Sequence, residues 1–292
     1  MAGRATFCVD AGGTRCRGRL VSPDGRVLAE GEDGPCNPST DPARATASLI
    51  GLWTRCAAGH DAAKVTLALG GAGLAAPSVR AAFLAALPRF GRAVVMSDGY
   101  AALIGAGGGV PCTLVIAGTG VVGHRLFADG GSIERDGWGW IGGDRGSGAW
   151  IGQRALRHAL AAHDGVLPRD ALAERVLAAL RARAGTPRGW VVGLGPDHLA
   201  ALAPLVLAAA EEGDAAAGAI LDRAGAHLAA LARALDPLAE VRFYLAGGLA
   251  EVMRPRLATL LGRSVSLPAA DARSGCLLVA TGAAPPERVI DP

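Results

Sequence analysis

The sequence is almost without lysine. Lys64 is the only lysine among the 29 Lys and Arg residues, and it lies in Ala-Lys-Val rather than in Gly-Lys-Ser or Gly-Lys-Thr. A P-loop requires a lysine in that context to reach the phosphates of a nucleotide. The sequence therefore excludes a P-loop, and phosphate groups would have to be bound by another kind of loop.

Long apolar runs and an excess of one charge are also missing. The longest uninterrupted apolar run, Leu199–Ala210, has 12 residues and contains Pro204, so it is too short to cross a bilayer. The formal net charge of +3 does not indicate nucleic acid or an acidic membrane as a partner. No signal peptide is evident at the N-terminus. We expect a cytoplasmic protein that binds neither nucleic acid nor membrane.

Cysteine pairs at metal-binding spacing are absent. None of the six cysteines belongs to a C-x-x-C sequence, and they are scattered along the chain: Cys8, Cys16, Cys36, Cys56, Cys112 and Cys276. We interpret them as reduced thiols rather than disulfides or zinc ligands. The composition, 51% hydrophobic and 19% charged, is that of a folded globular protein.

A three-strand pattern occurs twice. The first copy runs through Thr6–Asp10, Arg15–Val21 and Arg26–Glu30, and alternating helices and strands follow it. After a glycine-rich junction at Gly105–Pro111 the pattern restarts at Thr113–Ala117. The remainder of the chain is mostly helical. This order predicts an α/β protein with an internal repeat.

A glycine turn follows the first strand of each copy. The two turns are Asp10-Ala11-Gly12-Gly13-Thr14 and Ala117-Gly118-Thr119-Gly120. Each leads into a returning strand and not into a helix, which argues against a Rossmann dinucleotide site. Either turn alone could be an ordinary hairpin turn. Their recurrence, each with a hydroxyl residue, favours backbone N–H groups that bind phosphates.

Two aspartates end apolar strands. Asp10 could cap its turn or could hold Mg²⁺ beside the phosphates through water. Asp98 also precedes a helix, so it could be a helix N-cap or a general base that accepts a proton from an attacking hydroxyl.

Three further segments are candidates for ligand binding. In the glycine-rich segment 136–148, Trp138 and Trp140 are either core residues or the wall of a polar pocket, where Asp144 would bind ligand hydroxyls. Asn37 is either a turn residue or a ligand contact. Ala246-Gly247-Gly248 lies between a strand and a helix and could contact an adenosine.

In order, the motifs VDAGGTRCR, SDGYAALIGA, VIAGTG, DGWGWIGGDRGSGAWIG and YLAGGLA resemble the actin-like sugar kinase/Hsp70 superfamily. The closer resemblance is to the N-acetylglucosamine kinase and BadF/BadG ATPase branch, which includes bacterial glucosamine kinases. It implies two actin-like (ribonuclease H-like) domains with a cleft between them. We expect these at residues 1–108 and 109–270, with a last helix over 271–283 that returns to the first domain.

The resemblance also implies roles for individual residues. Asp98 matches the catalytic base, and Asp10 matches the metal-side residue of the first phosphate motif. The positions that match ATP-binding residues are Gly12, Gly13, Thr14, Gly118, Thr119, Gly120, Gly247 and Gly248. The positions that match sugar-binding residues are Asn37, Asp98, Gly137, Trp138, Gly139 and Asp144. This sequence departs from the family at Ala11 (usually glycine), Val121 (often serine) and Arg145 (usually glutamate).

The function implied is phosphorylation of the 6-hydroxyl of N-acetylglucosamine or glucosamine by ATP with Mg²⁺. The sequence does not choose between the two sugars, and a homodimer is possible. Two other functions remain open: an ATPase that activates a partner enzyme, and a sugar-binding protein without catalysis.

Overall fold

The computed structural model describes residues 3–290. Its strands are β1 (Ala5–Ala11), β2 (Cys16–Val21), β3 (Val27–Asp33), β4 (Val65–Gly71), β5 (Arg92–Met96), β6 (Cys112–Ala117), β7 (Val121–Leu126), β8 (Ser132–Asp136) and β9 (Arg242–Ala246). Its helices are α1 (Pro42–Cys56), α2 (Pro77–Ala85), α3 (Asp98–Gly107), α4 (Gly139–Gly142), α5 (Gly148–His163), α6 (Ala171–Arg183), α7 (Pro196–Ala200), α8 (Ala203–Glu211), α9 (Ala215–Leu235), α10 (Ala250–Leu261) and α11 (Ala272–Thr281). Short 3₁₀ helices lie at Ala62–Lys64 and Pro187–Trp190.

The first sheet has the strand order β3-β2-β1-β4-β5. Its first three strands form an antiparallel meander, whereas β4 and β5 run parallel to β1. Every residue of β4 is buried, as is typical of a parallel strand covered on both faces. Asp10 on β1 is in register with Gly70 on β4, which is in register with Met96 on β5. The carboxyl ends of these three strands therefore lie at one edge of the sheet.

Aromatic side chains and a close helix pair cover the sheet. Phe7 on β1 packs edge-on against Trp53 of α1, with ring centroids 5.2 Å apart. Helix α11 packs against α3, β1 and β4. A Cβ at Gly275 of α11 would lie only 1.9 Å from the carbonyl oxygen of Ala101 on α3. Only glycine allows the two helix backbones to approach this closely.

The second sheet, in the order β8-β7-β6-β9, repeats the first four positions of the first sheet. Ser266 forms an isolated parallel bridge with Tyr244 of β9, where a fifth strand would stand. The repeated order confirms the predicted α/β fold with two actin-like sheets.

Contacts divide the chain into two compact units. The described residues of the first unit fall within Met1–Cys112, His124–Ile133 and Pro268–Pro292, and those of the second within Thr113–Gly123 and Glu134–Leu267. Helix α11 and its partners α3, β1 and β4 all belong to the first unit. The assignment of residues 1–108 and 109–270 to two domains stays a prediction.

The apolar run Leu199–Ala210 is divided between two helices, α7 and α8, because Pro204 lies in the first turn of α8 and cannot continue the helix before it. Of the two alternatives for Trp138, the core position is wrong, because the residue is 80% exposed. Among residues 3–290, no helix is both long and apolar enough to cross a membrane.

Two matched glycines test the packing of α11. Gly275 and Gly218 are each the fourth residue of a helix, and a Cβ at Gly218 would meet nothing within 4 Å. We expect Gly275→Ala to lower the free energy of unfolding by about 1–3 kcal/mol through overpacking. Gly218→Ala should raise it by roughly 0.5–1 kcal/mol. Urea denaturation of both variants checks this, and equal stabilities would contradict the close packing of α11 on α3.

Candidate functional site

The site residues in the first unit gather at the carboxyl edge of its sheet. Asp10 is the penultimate residue of β1, and Asp98 begins α3 two residues after the end of β5. The parallel register of β1, β4 and β5 places both aspartates at that edge. The glycine turn after β1 lies at the same edge.

Asp98 does not cap its helix. The N-cap is Ser97, whose hydroxyl accepts from the N–H of Tyr100 at 3.0 Å. Asp98 Oδ1 accepts from the N–H of Gly99 at 3.0 Å. Burial, together with the negative charges of Asp10 and Glu287, raises the pKa of Asp98, although the bond from Gly99 opposes this. A carboxylate with a raised pKa is a better proton acceptor, which is what a general base requires.

Glu287 is a neighbour of Asp98 that sequence reasoning missed. Its two carboxylate oxygens accept from the N–H of Ser97 at 2.8 Å and from the Ser97 hydroxyl at 2.6 Å. The Tyr100 hydroxyl donates to the carbonyl of Pro285 at 3.0 Å. The C-terminal segment thus holds the N-terminus of α3 and fixes the backbone beside Asp98. No local motif marks Glu287, because its partner is far away in the chain.

His124 is a second neighbour of Asp98 that sequence reasoning missed. A Cβ at Gly99 would lie 2.2 Å from His124 Nε2, so the imidazole packs directly on the first turn of α3. Burial lowers the pKa of His124 to about 4. The ring is therefore neutral near pH 7, and it adds no positive charge next to Asp98.

Asp10 is held by an ion pair. Its Oδ2 accepts from Arg17 Nη2 at 2.7 Å, and its side chain is 16% exposed. Within residues 3–290, no group of three or more His, Cys, Asp or Glu residues could hold a metal ion. A single carboxylate beside phosphates fits Mg²⁺, because this ion is usually bound by one or two carboxylates together with water and phosphate oxygens.

The first glycine turn has open space above its backbone. The N–H of Gly12 donates to the carbonyl of Arg15 at 3.0 Å and closes the turn. Neither Gly12 nor Gly13 has a positive φ, and a Cβ at Gly13 would meet nothing within 4 Å. The fold itself does not require glycine at position 13, whereas a phosphate close to the backbone would.

Asn37 lies beside this turn. Its neighbour Cys36 donates its N–H to the carbonyl of Gly12 at 2.9 Å. Asn37 Oδ1 accepts from the N–H and the hydroxyl of Ser39, at 3.0 and 2.7 Å, so Asn37 does form a turn. Its Nδ2 donors have no partner among residues 3–290 and can bind a ligand.

The second glycine turn is bonded to the start of α5. The carbonyls of Gly118 and Thr119 accept from the N–H groups of Gly148 and Ala149, at 2.8 and 3.1 Å. Thr119 is exposed, and a Cβ at Gly118 would meet nothing within 4 Å. Gly118 has no positive φ. As at Gly13, neither the surroundings nor the backbone conformation requires glycine at position 118.

The Gly247-Gly248 turn packs against the same strand end. Gly247 has a φ of +91°, and a Cβ there would lie 2.3 Å from the carbonyl oxygen of Ala117. Gly247 is therefore required by the fold. Gly248 has nothing within 4 Å of its Cβ position, which leaves its backbone accessible to a ligand.

Asp144 supports the second glycine turn. Its Oδ1 accepts from the N–H of Val121 at 2.9 Å, and its own N–H donates to Asp136 Oδ1 at 3.0 Å. A Cβ at Gly120 would lie 2.9 Å from both Asp144 oxygens. Burial and the charge of Asp136 raise the pKa of Asp144, against the effect of the Val121 bond. One oxygen of the Asp144 carboxylate is thus already hydrogen-bonded to the protein backbone.

The expected site residues form one group in each unit. The first unit brings together Asp10, Gly12, Gly13, Thr14, Asn37 and Asp98. The second brings together Gly118, Thr119, Gly120, Gly137, Asp144, Gly247 and Gly248. Gly137 joins the second group because its N–H donates to the carbonyl of Val121 at 3.1 Å. Trp138 and Gly139 follow Gly137 in the chain. Trp138 lines a cavity in the second unit.

The fold and the glycine turns define the class of protein as an actin-like ATPase. The model of the BadF/BadG/BcrA/BcrD ATPase family matches residues 8–265, and the chain belongs to this family. The nucleotide is therefore ATP. The open backbone at Gly13, Gly118 and Gly248 fits such a ligand, because a Cβ at any of these positions would fill otherwise empty space.

Three relatives are similar over half of the chain or more. Glucosamine kinase GspK of Vibrio cholerae is 27% identical over 277 residues, covering 93% of this chain and 94% of the relative. An N-acetylmuramic acid/N-acetylglucosamine kinase of Clostridium acetobutylicum is 29% identical over 163 residues, 53% of each chain. A crystal structure from Chromobacterium violaceum, provisionally assigned as an N-acetylglucosamine kinase, is 34% identical with a TM-score of 0.84. It covers 96% of this chain and 99% of that chain.

The contact from Glu287 predicts a change in the pKa of Asp98. The negative charge of Glu287 raises that pKa, so Glu287→Gln should lower it while the amide keeps a hydrogen bond to Ser97. The carboxyl ¹³C signal of Asp98, followed by NMR against pH, measures the shift. Glu251→Gln in the second unit is the control. An unchanged Asp98 midpoint in Glu287→Gln would contradict this account.

Proposed function

We propose that the protein transfers the γ-phosphoryl group of ATP to the 6-hydroxyl of an amino sugar, glucosamine or N-acetylglucosamine. The observation that carries the proposal is Asp98, a carboxylate with a raised pKa that is not needed as a helix cap. It lies at the sheet edge that also carries the first glycine turn. The glucosamine and N-acetylglucosamine kinases among the relatives support the choice of sugar class.

In the proposed reaction Asp98 accepts the proton of the 6-hydroxyl as that oxygen attacks phosphorus. The proton-accepting group must reach the hydroxyl at hydrogen-bond distance, and its raised pKa brings it closer to the operating pH. Glu287 and Ser97 hold the backbone on either side of this carboxylate. Most of the remaining rate enhancement comes from positioning and charge stabilisation, as in other phosphoryl transfers.

Backbone N–H groups of the two glycine turns hold the phosphates. The proposed ATP-binding residues are Gly12, Gly13, Thr14, Gly118, Thr119, Gly120, Gly247 and Gly248. Asp10 would hold Mg²⁺ through water, and the ion, when bound, neutralises charge on the phosphate oxygens. Arg17 keeps the Asp10 carboxylate in place through its ion pair.

The amino sugar is held by polar groups and an indole. Asn37 offers its Nδ2 donors, and Asp144 offers the oxygen that does not bond Val121. Gly137 and Gly139, both left-handed, shape the loop that presents the exposed ring of Trp138. An exposed indole provides a flat apolar surface against which one face of a sugar ring can pack.

An ATPase that activates a partner enzyme and itself holds an iron–sulfur cluster is disfavoured by the cysteines. All six thiols are buried. Burial raises the pKa of Cys8 and of Cys112 to about 12. Iron–sulfur ligation requires thiolates, so thiols in these surroundings are poorly suited to hold a cluster.

The kinase proposal is tested by ADP release with a panel of sugars. We expect turnover that depends on glucosamine or N-acetylglucosamine and falls about 10²–10⁴-fold in Asp98→Asn, because the amide cannot accept the proton. Asp61→Asn is the matched control, since Asp61 caps a short 3₁₀ helix and asparagine caps equally well. Turnover without sugar would favour the activator. Sugar binding without turnover would favour a non-catalytic protein.

The second glycine turn is tested by two valine substitutions. Gly118 and Gly185 both lack positive φ and both have nothing within 4 Å of a Cβ, so valine should be tolerated by the fold at each. We expect Gly118→Val to raise the KM for ATP strongly, because the side chain occupies the space of a phosphate. Gly185→Val should leave it unchanged. Steady-state kinetics decide, and equal KM values in both variants would assign the turn a purely structural role.

A further inference from the structure

A cavity in the second unit lies outside the glycine turns. Its volume is about 360 Å³, within the range of small-molecule sites. Segment 135–145 forms one wall and helix α9 the other. The lining residues that matter here are Arg135, Asp136, Trp138, Arg145 and His227.

The charges on the cavity wall do not balance. Arg135 and Arg145 face a single acidic residue, Asp136, whose Oδ1 already accepts from the N–H of Asp144 at 3.0 Å. Arg145 forms no hydrogen bond or ion pair with any residue in the described part of the chain. Arg145 therefore presents an unused guanidinium at the cavity.

Two more arginines lie near His227 behind this wall. Burial and the positive charges of Arg145, Arg154 and Arg223 lower the pKa of His227. Between residues 3 and 290, neither Arg154 nor Arg223 pairs with a carboxylate, and Arg154 Nε is buried without a hydrogen-bond acceptor. The Arg154 guanidinium lies 4.9 Å from the ring centroid of Trp150. The rings of Trp150 and His227 pack against each other in an edge-to-face arrangement.

Uncompensated guanidinium groups at a cavity favour one kind of ligand. Arginine presents planar N–H donors that match the paired oxygens of a phosphate or carboxylate. A field of one sign in a concave site also concentrates ions of the opposite sign. At the rim, the 80% exposed Trp138 offers a surface for a ring.

We propose that this cavity binds a sugar-sized molecule that carries a phosphate or carboxylate group, with Arg145 on the anionic oxygens and Trp138 against the ring. The inference rests on the proposed function only in that Trp138 is shared with the proposed sugar site. A sugar phosphate is also the product class of the proposed reaction. The ligand would then be the sugar phosphate formed in the proposed reaction, or a sugar that carries another anionic substituent.

Isothermal titration of the full chain tests the proposal without turnover. The probes are inorganic phosphate, glucosamine 6-phosphate and glucuronate, each titrated with and without a non-hydrolysable ATP analogue and Mg²⁺ to fill the glycine turns. We expect the two sugar anions to bind in both conditions. Arg145→Glu should weaken this binding about tenfold or more, which is the usual effect of losing a charge-assisted hydrogen bond.

Arg157→Glu is the matched control, because Arg157 lies exposed on α5 and does not line the cavity. It should bind both sugar anions as the wild type does. Arg145→Gln is the second variant should charge reversal impair folding, and it should show the same loss in smaller degree. Binding of glucosamine 6-phosphate alone, or of both sugar anions, with loss in the Arg145 variants supports the site.

Three results would overturn the proposal: no binding of either sugar anion, equal affinities in Arg145→Glu and Arg157→Glu, or binding only when the ATP analogue is absent. Binding of inorganic phosphate without either sugar anion would also contradict it, because the cavity would then not accept a ring. Sugar-independent ADP release would refute the kinase proposal but would not alter these titrations.

Discussion

The parallel register of β1, β4 and β5 is the constraint on which the first half of the site depends. It brings the ends of three strands to one edge, so that Asp10 and Asp98, far apart in sequence, occupy the same side of the sheet. Strand β4, which lies between β1 and β5 in this register, is buried on both faces. Helix α11 supplies part of that cover, and Gly275 allows it to lie close to α3. Packing of the C-terminal helix α11 therefore supports the positions of Asp10 and Asp98 in the first part of the chain.

The second unit repeats the same device with different supports. Its glycine turn also follows the first strand of the meander, but the carbonyls of this turn are bonded to the first turn of α5. Asp144 holds the backbone at Val121, and Gly247 packs on Ala117. Each turn thus has a glycine with empty space at its Cβ position, but the residues that contact the two turns are different. The repeated strand order gives the two turns equivalent positions in their sheets, whereas the contacts around each turn are its own.

Charge is distributed unevenly around these supports. On the first sheet the acidic groups Asp10, Asp98 and Glu287 lie near one another, and only Asp10 has an arginine partner. Burial raises the pKa of Asp98, and these neighbouring charges raise it further. In the second unit the excess is positive, around Arg145 and His227. The exposed side chain of Arg145 forms no internal bond in the described part of the chain, so its positive charge is available at the surface.

The sequence by itself determined the α/β class, the repeated meander and both glycine turns, because these follow from local apolar patterning and turn chemistry. It also placed Asp98 at a strand end, although it could not separate a base from a cap. Tertiary structure decided that Ser97 is the cap, that Glu287 holds it, and that Asp144 supports the second turn. The contacts of Glu287 with Ser97 and of Asp144 with Val121 join residues distant in the chain, and no local pattern encodes them. Burial, and with it the raised pKa of Asp98, likewise exists only once the sheet and its helices have assembled.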